Sequence, residues 1–133
     1  GPEEIADALS AIDALAAQLS SGTSCILVGY SYGAWVALQA ASQDPRIGRI
    51  VAIAPPLELV DWNSLGTMSR PVSIIAAERD QFCAPTDLAG FVRKQGGLVK
   101  LHATVAGADH FFWGFEDQAA AACCSASTEP LTG

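Results

Sequence analysis

Apolar residues follow two kinds of pattern along the chain. Over residues 3–19, Ile5, Leu9, Ile12, Leu15 and Leu19 recur every three or four positions, the stripe of an amphipathic helix. Pro2 suits a first helical turn, Glu3 and Glu4 complement the positive end of the helix dipole, and Ser20-Ser21-Gly22 closes the element. Residues 25–29, 50–54 and 72–77 are short continuous apolar runs, the pattern of strands buried on both faces. Residues 98–105 alternate more, which predicts a fourth strand nearer a sheet edge. Helical patterns cover 32–43, the stretch from Thr86 or Asp87 as cap to Lys94, and about 115–124. Asp44-Pro45, Pro55-Pro56 and Gly96-Gly97 act as stops, and a loop with a short helix is expected through 61–68.

Strands alternating with helices predict an α/β fold: a parallel sheet of about four strands with helices on both faces. The folded domain is expected over residues 1–124, with 125–133 as a flexible tail. In such sheets the chemistry gathers at the carboxyl ends of the strands, so polar residues just past a strand are the ones to weigh.

The stretch "VGYSYGA", residues 28–34, places Ser31 between the first strand and the next helix. A chain that turns straight from strand to helix forces its corner residue into a strained conformation and pushes that side chain outward. Gly29 and Gly33 supply the small flanks such a corner needs, because the two backbones pass close by. The alternative is an ordinary serine at a helix start.

Asp80 follows the third strand, in "ERDQFCAP", where a carboxylate can fix the tautomer of an imidazole. Glu78 and Asp87 compete for that role nearby, and Glu58 and Asp61 compete from the loop after the second strand. Two histidines are available. His102 lies inside the fourth strand, where a structural role is expected; His110 follows that strand in "GADHFF", where it can serve Ser31 as a general base. Ser, Asp and His thus occur in that chain order, each after a successive buried strand except for one intervening run.

Composition narrows the partners. The net charge of −7 disfavours nucleic acid or an anionic membrane, either of which wants a basic face, so neither is expected to bind. No apolar run is long enough to span a membrane, and no basic region followed by an apolar run opens the chain. Cys25, Cys83, Cys123 and Cys124 match no zinc spacing and suit reduced thiols, so a cytoplasmic location is expected. With no Walker loop and no dinucleotide fingerprint, neither metal nor organic cofactor is expected.

"LVGYSYGAWVAL", "ERDQFCAP" and "GADHFF" resemble the nucleophile elbow, acid loop and histidine loop of the α/β-hydrolase superfamily, and "EEIADALSAIDAL" resembles the helix before its nucleophile strand. The overall look is nearest the small dienelactone-hydrolase-like members. The resemblance covers roughly residues 3–120 and implies Ser31 as nucleophile, Asp80 as acid, His110 as base and the Tyr32 amide as one oxyanion-hole donor. It also implies strands before the nucleophile strand and a second oxyanion donor from an upstream loop, for which this sequence has no counterpart. The expected fold is therefore a truncated α/β-hydrolase, present as a homo-oligomer or paired with an N-terminal portion. Tyr30, Trp62 and Phe111 are the candidates for substrate binding. The expected activity is hydrolysis of an ester, thioester or amide of a small molecule. The competing expectation is a catalytically silent module used for binding or assembly.

Overall fold

A computed structural model describes residues 2–130. The chain runs α1 (Pro2–Ala16), β1 (Cys25–Tyr30), α2 (Tyr32–Ala41), β2 (Ile47–Ile53), a short 3-10 helix (Trp62–Leu65), β3 (Val72–Ala77), α3 (Pro85–Lys94), β4 (Val99–Val105) and α4 (Glu116–Thr128). All strand pairs are parallel and the order is β1-β2-β3-β4, so every strand ends on the same rim. No helix of the described residues is long and apolar enough to cross a membrane.

Two apolar layers flank the sheet. On one side, Ile12 of α1, Leu38 of α2 and Leu88 of α3 pack over Ile50, Val72, Ile74 and Val99. On the other, Ala126 of α4, with Ala119, Ala122 and Cys123, packs over Val51, Ile75, Ala77 and Val105. The alanine-rich α4 lets the helix lie close to the strands. Its small side chains need little room, and Ala126 is fully buried.

Several elements depart from expectation for local reasons. β1 is not buried on both faces: Ile26 and Val28 are each 47% exposed on the side where α4 covers only β2, β3 and β4. Nothing among the described residues pairs with its outer edge. β2 starts at Ile47, three residues before the apolar run, because Arg49 extends through the sheet although it is charged. Its guanidinium donates to the carbonyls of Ala126 and Glu129, holding the carboxyl end of α4. That anchor explains why α4 continues to Thr128 instead of ending near Cys124. Of the expected tail, 131–133 lie outside the described residues. α3 begins at Pro85 with Ala84 as its cap, so Thr86 and Asp87 fall inside the first turn. β4 lies at the sheet edge, as its alternation predicts.

Candidate active site

Ser31 sits at the corner between β1 and α2 with φ 55° and ψ −122°. Side chains larger than glycine adopt such angles at a cost of about 1–3 kcal/mol and hold them only where surroundings enforce them. Here the Ser31 N–H donates to Ile53 O at 2.8 Å, and its carbonyl accepts from Ala34 N at 2.9 Å. The two flanking glycines are not equivalent. A Cβ at Gly29 would stand 2.2 Å from Gly33 O and 2.8 Å from Ala34 Cα, whereas one at Gly33 would meet nothing within 4 Å. Gly29 alone is demanded by the close passage of strand and helix.

Among the described residues, the other positive-φ residues that are not glycine are Ala54, just past β2, and Phe112, in the loop after β4. All three lie near the carboxyl ends of the strands, so the strained backbone collects on one rim.

Asp80 stands in the turn after β3 with its side chain 2% exposed. Oδ1 accepts from Phe82 N at 2.8 Å, which fixes the carboxylate. The remaining acids are occupied elsewhere: Glu78 accepts from Gly107 N, Asp61 caps the 3-10 helix, Asp87 sits in the first turn of α3, and Glu58 is exposed.

His110 Nε2 lies 2.8 Å from Ser31 Oγ, and its Nδ1 lies 2.9 and 3.0 Å from the two oxygens of Asp80. The imidazole is 3% exposed and is packed by Phe82 and Phe111 edge-on, at 4.8 and 5.3 Å between ring centroids, and by Tyr30 stacked at 5.8 Å. Three side chains from loops 30 and 79 residues apart in sequence thus form one hydrogen-bonded line, Ser31–His110–Asp80. His102 takes no part; it meets Ser125 and Glu129 on α4 and beyond.

The three substrate-binding candidates have different fates. Phe111 is 49% exposed beside the imidazole. Tyr30 is 44% exposed, but its hydroxyl is directed to the His110 carbonyl. Trp62 has to be corrected: it is 6% exposed, its indole N–H donates to Pro56 O, and its ring packs between Trp35 and Phe91. It is core, because the loop after β2 folds back onto α2 and α3. Sequence alone does not mark Gln81 for a role; its carboxamide oxygen accepts from His110 N at 3.1 Å. The only local signal is its place beside Asp80.

An apolar cavity of about 500 Å3 opens between α3 and β4, lined by Cys83, Leu88, Val92 and Leu101 and by none of Ser31, Asp80 or His110. Burial, and next the Asp80 carboxylate, push the Cys83 thiol up to about 11, so it stays protonated near neutral pH.

Comparison with known proteins bears on the family and the fold. The model of the alpha/beta hydrolase family matches residues 1–116. An uncharacterized protein of Rickettsia prowazekii (strain Madrid E) is 30% identical over 119 residues, which is 84% of this chain and 50% of that protein. An alpha/beta hydrolase of unknown function from Agrobacterium tumefaciens superposes with a TM-score of 0.79 at 32% identity, over 90% of this chain and 56% of its own. An alpha-beta serine hydrolase homologue from Coxiella burnetii shares the fold at a TM-score of 0.70 and 24% identity, over 84% of this chain and 52% of its own. The chain spans about half the length of these relatives. A strained serine corner, parallel strands that all end on its rim and a match over most of the sequence converge: the chain belongs to the alpha/beta hydrolase family.

Proposed function

We propose that this protein is a serine hydrolase that cleaves an ester, thioester or amide of a small molecule through an acyl-enzyme on Ser31. The observation that carries the reading is the unbroken line Ser31 Oγ–His110 Nε2 at 2.8 Å and His110 Nδ1–Asp80 at 2.9 Å. His110 takes the proton of Ser31 as Oγ attacks the substrate carbonyl. Asp80 holds the ring in the tautomer whose Nε2 accepts, and stabilises the imidazolium. The protonated His110 then gives its proton to the leaving group. Water, deprotonated by the same nitrogen, releases the acid and restores Ser31. Tyr32 is the first residue of α2, so its amide lies at the positive end of that helix, where an oxyanion is stabilised. The exposed ring of Phe111 suits the wall of an apolar acyl pocket. Each step is a proton or acyl transfer among these groups, and none calls on a metal or organic cofactor. The four cysteines are unpaired with one another, which suits a reducing compartment such as the cytoplasm.

A fluorophosphonate is expected to modify Ser31, and Ser31→Ala is expected to abolish labelling and to lower hydrolysis of an activated ester by about 10⁴-fold or more. Undiminished turnover by Ser31→Ala would sink the reading. The open side of β1 favours a second one, a silent module that binds further polypeptide there; stable association without turnover of any activated ester would select it.

A further inference from the structure

His110 is tied to two other loops through its main chain as well as through its ring. Its carbonyl oxygen accepts from the Tyr30 hydroxyl at 2.7 Å, and its N–H donates to Gln81 Oε1 at 3.1 Å. Tyr30 immediately precedes Ser31, and Gln81 immediately follows Asp80. Each loop that offers a partner to the imidazole therefore also sends the neighbouring side chain to the backbone that carries it.

That backbone needs external support. His110 lies between β4 and α4, where neither its N–H nor its carbonyl has a strand partner, and Phe112 two residues on is held at φ 55°. The residue is 3% exposed, so water is a poor substitute. A buried amide or carbonyl left unpaired costs about 1–3 kcal/mol, enough to let the loop seek another conformation. The imidazole hangs from this main chain, and displacement of such a group by about 1 Å can cost on the order of a hundredfold in rate. Burial, with the Asp80 and Asp109 carboxylates, holds the Tyr30 phenol above its ordinary value, so it remains a donor across the neutral range.

We propose that Tyr30 and Gln81 are positioning residues that clamp the two main-chain polar groups of His110 and so set the distance from Nε2 to Ser31 Oγ. This deepens the hydrolase reading and rests on it. For Tyr30 it assigns the hydroxyl to the histidine loop instead of to substrate.

The test uses Tyr30→Phe, which keeps the stacked ring, and Gln81→Met, which keeps side-chain length, singly and together. Gln81→Glu retains an acceptor and serves as the conservative rescue. Two readouts are taken: kcat and KM on an activated ester, and the low-field Nδ1–H proton resonance of His110. Each single variant is expected to lower kcat about tenfold with KM within about twofold, and the pair about a hundredfold. Gln81→Glu is expected within about threefold of the parent, and the resonance broadens in Tyr30→Phe and Gln81→Met while the thermal midpoint stays within a few degrees. Parental kcat together with an unaltered resonance in both single variants would overturn the clamp. If Ser31→Ala turns over the ester as fast as the parent, the hydrolase reading fails, and the resonance alone then judges the clamp.

Discussion

A methyl group added at Gly29 would stand 2.2 Å from Gly33 O and 2.5 Å from Gly33 C, inside any tolerable contact with backbone that cannot swing away. Gly29→Ala must therefore pry β1 from α2 at the corner that carries Ser31. The expected loss is about 1–3 kcal/mol or more, read as a lower urea midpoint, together with slower fluorophosphonate labelling as the corner shifts. Gly33→Ala meets no neighbour within 4 Å, and its stability should stay within about 0.5 kcal/mol of the parent. A similar loss from both substitutions would show that the corner does not depend on this close passage. The asymmetry matters for the site because the corner at which Ser31 holds its strained φ carries the hydroxyl that meets His110.

Among elements, the junction between α2 and β2 is fixed by charge. Asp44 accepts from the Arg46 amide and from its guanidinium, and the same guanidinium reaches Asp13 of α1 at 2.6 Å. Hydrogen bonds from Arg46 hold the Asp44 carboxyl below its ordinary value of 3.8. The folded state thus binds this proton less readily than the unfolded chain does. The contribution to stability is present in full above about pH 4 and is lost as the pH falls through the lower folded value. Asp44→Asn is expected to lower the urea midpoint at pH 7, and the gap to the parent should close as the pH is taken below 3.8. A gap that persists at pH 2 would mean that packing and not charge holds the junction. By tying α1 and β2 to the end of α2, this junction steadies the helix that Ser31 precedes.

For the whole molecule, the consequence to test is the open side of β1. Ile26, Val28 and Tyr30 alternate onto one face and are 47%, 47% and 44% exposed. They stand beside an edge that nothing among the described residues pairs with. Edges of this kind template association. The 133-residue chain is expected to self-associate as its concentration rises, and Val28→Lys to weaken that association about tenfold or more, since burying one valine is worth about 1.5–3 kcal/mol. Sedimentation velocity across concentrations measures both, and a chain that stays monomeric throughout would refute the expectation. The relatives' chains are about twice as long as the portion matched.

The existence, type and order of the elements could be read directly, because helical and strand periodicity and the Gly and Pro stops are local properties. That Ser31, Asp80 and His110 would lie near one another could be expected too, because a parallel sheet delivers whatever follows its strands to one rim. What local patterns cannot carry is which distant segments meet. Trp62 has the same composition around it whether it faces substrate or core, and only the return of its loop onto α2 and α3 buried it. Arg49 interrupts an apolar run and hides three residues of β2 until the carbonyls of α4 are seen to receive it. Ile26 and Val28 belong to a run that suits full burial, and they are exposed because α4 stops short of β1. Gln81 gains its place at His110 from a contact 29 residues away. Periodicity along a chain encodes the elements. Their mutual packing, and with it the distance between a hydroxyl and an imidazole, exists only once they have been brought together.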